Sequence, residues 1–311
     1  MPIKKVEASD IMPTTAACFA SHMGAWAIEP GFMQSAVQAV KSGLWRNVGT
    51  RSAEDPSGDK LVLSGEKISY AVKSGVAILN IQGVMQKGSS KFGGASTANL
   101  RQALRAAAID ADVGAIFLVI DSPGGTVAGT QSLADDIKNI NSKIPVYAHV
   151  EDLGASAAYW VASQARSVSA TKGSMVGSLG VYSVLVDTSG AAEAEGVKVH
   201  VVSTGEFKGS GIDGTPVTDA ILTDRQRLTD GQNAEFMGAV GAGRNIGKVD
   251  VKKLFDGRVH LASEAKDIGL IDSIMSTDAA FKQATIAAKA TFSQRELGNN
   301  RLRMARVNTG R

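Results

Sequence analysis

Between residue 75 and residue 171 the chain alternates two kinds of pattern. Short, β-branched apolar runs, "GVAILNIQGVM" (75–85), "GAIFLVID" (114–121), "IPVYAHV" (144–150) and "SVSAT" (167–171), read as buried strands. Between them, "TANLRQALRAAAIDADV" (97–113), "TVAGTQSLADDIKNI" (126–140) and "SAAYWVASQA" (156–165) carry helical character, the first behind a Ser96/Thr97 cap. "GVYSVLVD" (180–187), "AAEAEG" (191–196) and "VKVHVVST" (197–204) continue as strand, helix, strand. Beyond Lys208 the pattern is mostly helical, in "DAILTDRQRLTDGQNAEFMGAVGAGR" (219–244) and "ASEAKDIG" (262–269). Strands alternating with helices predict an α/β fold of βαβ units around a largely parallel sheet. Before residue 67 the texture differs. "GFMQSAVQAVKSGLW" predicts one amphipathic helix, and "NVGTRSAEDPSGDK" a polar linker. Three parts follow: an N-terminal helical appendage with linker (1–66), a main α/β domain (67–275), and a helical or loose basic tail (276–311).

Composition narrows the class. The chain has 311 residues, 44% hydrophobic and 20% charged, ordinary for a globular protein with a real core. A net charge of +3 is too small to argue for nucleic acid, and part of it sits in "RLRMARVNTGR" at the end. Cys18 is the single cysteine, so no internal disulfide can form, which fits a reducing compartment. No apolar run is long enough to span a bilayer. The lysines near the N-terminus precede a stretch broken by Asp10 and Pro13, which makes a poor signal peptide. These features point to the cytoplasm and to no membrane anchor.

Three segments carry candidate chemistry. "VIDSPGG" (119–125) ends a strand in adjacent glycines, whose backbone N–H groups can approach a ligand closely and donate to a developing oxyanion. It also reads as an ordinary strand-to-helix turn. "DLGASAAYWVAS" (152–163) places Ser156 among small residues at the start of a helix, with the N–H of Ala157 as a second donor. Close helix packing explains the same small residues. "STGEFKGSG" sets Lys208 between a strand and glycines. A lysine held neutral can act as a base, while a loop lysine is ordinarily solvated. His149 is the other base candidate, within an apolar strand where a histidine is more often structural.

Read in order, "SPGG", "GASAAYWVAS", "GSLGV" and "GEFK", with "GVAILNIQGVM" before and "FDGRVHLASEAKDIGLIDSI" after, resemble the S49 peptidase family, the signal peptide peptidase A-like serine proteases. The resemblance covers about residues 67 to 275. It implies the Clp protease/crotonase-like ββα spiral fold. It makes Ser156 the nucleophile, Lys208 its general base and Ser178 the serine that orients the lysine. Gly124 and Ala157 become the backbone oxyanion donors, with Gly125 a one-residue alternative. Family members often have Gly-Gly after the nucleophile, and Ala157-Ala158 departs from that. "GAWAIEPGFMQSAVQAV" is similar to the opening of tailed-phage and prophage members, which cut scaffold and capsid proteins during procapsid assembly. The resemblance therefore implies a homo-oligomeric head-maturation protease acting on scaffold, capsid or portal proteins. It would work in the host cytoplasm or inside the procapsid, with no cofactor and no metal.

Other readings stay open. One is signal peptide peptidase-like degradation of host peptides. Another is a crotonase-like acyl-CoA enzyme, for which Asp121 and Asp152 are the nearby carboxylates. A third is a non-catalytic assembly protein on a protease fold.

Overall fold

Apolar runs too hydrophobic to face water on either side must be buried on both, and parallel pairing under helices achieves this. In the computed structural model, which describes residues 26–28, 60–64, 67–88 and 94–309, they pair in that way. The strands are β1 (Trp26–Ile28), β2 (Lys60–Ser64), β3 (Lys67–Lys73), β4 (Val76–Gln82), β5 (Met85–Gln86), β6 (Ala95–Ser96), β7 (Ala115–Ser122), β8 (Gly124–Thr126), β9 (Val146–Ala155), β10 (Ser167–Ala170), β11 (Met175–Gly177), β12 (Val259–Leu261) and β13 (Ser273–Ile274). The helices are α1 (Thr97–Ile109), α2 (Thr130–Asn141), α3 (Ala157–Ala162), α4 (Ser189–Ala194), α5 (Asp219–Arg244), α6 (Lys248–Leu254), α7 (Ala262–Asp267) and α8 (Thr277–Thr309).

The main sheet runs β12-β11-β9-β7-β4-β3-β2, with β10 and β13 attached beside β9. Its centre is parallel: Val76 pairs with Ala115, and Ile116 with Val146. A second, four-stranded sheet runs β1-β8-β5-β6. Successive units therefore leave the main sheet, add short strands to the second sheet and return through a helix: β4, β5 and β6, then α1; β7, β8, then α2. This is the expected ββα spiral.

The expected α1 cap is present, with the Ser96 Oγ accepting from the Asn99 N–H at 3.3 Å. The helix expected over 31–45 lies outside the described residues. Two pieces of the segment read as an appendage are strands: β1 pairs antiparallel with β8, and β2 with β3. The segment after residue 276 is helical, and its first half packs on the sheet. Ala280, Ala284 and Ala288 recur at one-turn spacing and bury against Val76, Ala115 and Phe117. The helix lies so close that a Cβ at Gly114 would stand 2.9 Å from the Ala288 Cα.

One expectation is corrected. Residues 180–187 and 197–204 are not strands, although α4 forms between them. A strand needs a hydrogen-bonding neighbour, and among the described residues these runs form only one isolated bridge, at Tyr182, and no longer ladder. Their apolar side chains stand in the open instead: Val186 is 63% and Val202 99% exposed.

Candidate active site

Strand β9 is long enough to serve two neighbours. Its first half pairs with β10 (Tyr147 with Ser167), and its second half with β11 (Ala155 with Gly177). Ser156 is the next residue, and α3 begins immediately after it. The turn is sharp, with Ser156 at φ 54°, ψ −119°, a region that costs a residue with a Cβ about 1–3 kcal/mol. Its surroundings hold it there. The Ser156 N–H donates to the Gly177 carbonyl at 2.7 Å, and the Trp160 N–H donates to the Ser156 carbonyl at 2.8 Å. All six residues of α3 are buried. The Trp160 ring stacks on Phe236 of α5 at 4.6 Å, and the Tyr159 hydroxyl donates to the Leu270 carbonyl at 2.6 Å. The Ser156 Oγ is buried and has no hydrogen-bond partner among the described residues. An unmet buried hydroxyl on a strained turn fits a nucleophile better than a packing residue.

Ser178 stands beside it. Because β9 and β11 are parallel neighbours, the residues following Ala155 and Gly177 emerge side by side, and both are serines with positive φ (54° and 51°). The Ser178 N–H donates to the Arg258 carbonyl at 2.6 Å, tying this corner to the "DGR" turn.

Strand β8 brings the glycines in from the other side. At Gly124, φ is +94°, and a Cβ there would collide with the Ala27 carbonyl oxygen and stand 2.9 Å from the Ala157 nitrogen. Only glycine fits. Gly124 and Ala157 are thus brought together. The Ala157 N–H is the first of its helix and has no acceptor within it. The Gly124 N–H donates to the Ser122 Oγ at 3.2 Å, and the Ser122 Oγ donates to the Gly83 carbonyl at 2.6 Å. Gly125 backs onto Met85 across the sheet. Sequence reasoning missed Ser122, buried and shaping this turn, and missed that β1 reaches the site at all. The word "DSPGG" contained the first signal; nothing local contained the second.

Lys208 is not brought to Ser156. It is exposed in the 180–216 arm, with its backbone N–H donating to the Gly205 carbonyl and no hydrogen bond or ion pair to its ammonium among the described residues. His149 is fully committed elsewhere. Its ring nitrogens lie 2.8 Å from the Ser169 Oγ and 3.3 Å from the Thr277 Oγ1, and its ring stacks on Phe117. Burial lowers its pKa from 6.5 to about 4. It is a neutral core residue. The Asp121 carboxyl is pushed upward by burial first and by the neighbouring Asp152 second. Among the described residues no group of three or more His, Cys, Asp or Glu could hold a metal ion, and no helix is long and apolar enough to cross a membrane.

Residues 138–291 match the family model of peptidase family S49, a span that includes Ser156, Ser178 and Lys208 and leaves out Gly124 and Gly125. Capsid assembly protease C of Escherichia phage lambda is 31% identical over 72% of this chain and 53% of its own length. Protease 4 of Haemophilus influenzae is 29% identical over 73% of this chain and 36% of its own length. The chain spans between 36% and 63% of the length of the curated relatives it matches most strongly. The solved catalytic domain of the Plasmodium falciparum ClpP protease aligns with 64% of this chain and 85% of that one, at 16% identity and a TM-score of 0.38. The fold assignment rests on the strand order itself.

Proposed function

The chain carries a peptidase family S49 domain over residues 138–291, and from that premise we propose that it is a serine endopeptidase with a Ser–Lys dyad. The observation that carries the reading is the buried, unpartnered Ser156 Oγ on a strained turn beside Gly124 and the open Ala157 N–H. In the proposed reaction neutral Lys208 takes the Ser156 proton. The Oγ attacks a peptide carbonyl, and the N–H groups of Ala157 and Gly124 hold the oxyanion. Gly125 is the alternative donor while Ser122 occupies the Gly124 N–H. Lys208 then protonates the leaving amine, and water hydrolyses the acyl-enzyme. Ser178, side by side with Ser156, orients the incoming lysine.

Lys208 sits on an exposed arm with several bare valines, so we infer that the site is completed when copies of the chain assemble and cover that arm. The substrates we propose are capsid or scaffold proteins of a phage or prophage, processed in the host cytoplasm. Support comes from the lambda capsid assembly protease aligning over 72% of this chain. The test uses Ser156→Ala and Lys208→Ala, assayed on an unfolded protein and on procapsid proteins from the same genome. Both variants are expected to lose cleavage, and full cleavage by either one sinks the dyad. Cleavage of short free peptides with procapsid proteins left intact would favour peptide degradation instead.

A further inference from the structure

A protease must bring a substrate backbone to its nucleophile, and the Ser156 Oγ is sealed from solvent. Close to this corner lies β1, against Gly124 and the cavity beside Ser178. Among the described residues this strand is the outermost of its sheet and pairs with β8 alone, antiparallel, with Trp26 opposite Thr126, Ala27 opposite Gly125 and Ile28 opposite Gly124. The other edge of β8 is taken by β5 at Met85. The edge of β8 that faces β1 is therefore open to another strand when β1 leaves.

β1 lies on the reacting groups. The space beside the Gly124 Cα, where a Cβ would be, is bounded at once by the Ala27 carbonyl oxygen, the Ala155 carbonyl oxygen and the Ala157 nitrogen. A backbone carbonyl of β1 thus sits against the two candidate oxyanion donors. Ala27 and Ile28 are both buried, and Ile28 lines a cavity of about 330 Å3 together with Ser178, Leu179, Gly180 and Phe255. An extended backbone, a carbonyl at the donors and an apolar side chain in a cavity beside the nucleophile are what a bound peptide presents. Adding a strand to a sheet edge is a general way to hold one, with main-chain bonds for affinity and pockets for specificity.

We propose that the edge of β8 is the substrate-strand site, and that β1 is its intramolecular occupant. An extended polypeptide displaces β1 and runs antiparallel to β8, with a small residue opposite Gly125 and a branched apolar residue opposite Gly124. This rests on Ser156 being the nucleophile. Glycines at both positions of β8 leave the edge without side chains, so the peptide backbone can lie against it.

The test follows Ser156 labelling by a fluorophosphonate in the full chain, with Ser156→Ala as the blank. Ile28→Asp replaces a buried apolar side chain with a charge in a cavity that Asp230 and Asp256 also line, and is expected to raise the labelling rate at least tenfold. A synthetic peptide of residues 21–30 should return the variant toward the wild-type rate, and the same peptide with Asp at position 28 should not. Should Ile28→Asp fail to fold, the wild-type chain decides by hydrogen exchange. The amides of 26–28 should lose protection when a peptidyl boronate occupies Ser156. A folded Ile28→Asp that labels no faster than wild type, or amides that stay protected with the boronate bound, overturns the proposal. No Ser156-dependent labelling in any variant refutes instead the reading of Ser156 as nucleophile.

Discussion

The two halves of the proposed dyad sit in opposite surroundings. Ser156 is enclosed: α3 behind it is wholly buried, its backbone is bonded on both sides, and a ring stack ties it to α5. Lys208 stands in an arm whose residues form one six-residue helix, one isolated bridge at Tyr182 and otherwise turns and irregular backbone, with Phe207 beside it 45% exposed. A strained nucleophile needs a rigid core, because strain persists only where the surroundings over-determine it. A base supplied at the surface needs no such core within the same chain. In the proposed dyad, folding and activation are separate: the core holds Ser156, and assembly brings Lys208.

The contrast is broken most severely at Lys208. Lys208→Ala should lower cleavage by about 100- to 10,000-fold, the range for a general base, while the melting temperature stays where it is. A large loss of stability in that variant would mean that the arm belongs to the core after all. Phe236→Ala attacks the other side. It removes the partner of Trp160 from a fully buried site and should cost about 3–5 kcal/mol in urea unfolding, with Ser156 labelling falling as α3 loosens.

His149 tests the core by pH. Its pKa in the folded chain is about 4, against 6.5 ordinarily. Above pH 6.5 both folded and unfolded chains hold it neutral, and its contribution to stability is complete. As pH falls from 6.5 towards 4 the unfolded chain binds a proton that the folded chain refuses, so stability drops, by about 3 kcal/mol over the window. His149→Phe should remove that part of the pH dependence in unfolding curves between pH 7 and pH 4. The facing group to control for is Glu151, which accepts from the same Thr277 hydroxyl that meets the imidazole.

Much of this core was legible in the sequence. The runs at 114–121 and 144–150 are buried or half-buried throughout, so their apolar continuity marks central strands, whereas in 75–85 one face opens to solvent at Asn80 and Gln82. The pairing of Ser156 with Ser178 follows from register and was not legible: each serine looks unremarkable until Ala155 and Gly177 are found opposite one another. β1 was illegible for a related reason, because a strand of three residues has no periodicity to detect and is defined by its partner. The misread strands at 180–187 and 197–204 err in the opposite direction. Their valines carry strong β propensity, but propensity reports fitness for a pleated, half-covered surface and cannot supply the covering neighbour. Among the described residues that covering is limited to one bridge at Tyr182.

The same valines give the smallest effect on the folded chain. Val202 is 99% exposed, so a lysine there removes no buried contact, and its effect on unfolding should stay within about 0.5 kcal/mol. If copies of the chain cover the arm, that lysine would have to be desolvated in the interface. Val202→Lys should then shift sedimentation toward smaller species and reduce cleavage, with the Ile28→Asp labelling gain preserved wherever assembly persists. An unchanged sedimentation profile with full cleavage would mean that the arm reaches Ser156 by folding back within its own chain. The contrast between enclosed serine and exposed lysine would then describe two conformations of one protomer, and assembly would play no part in bringing the base to the nucleophile.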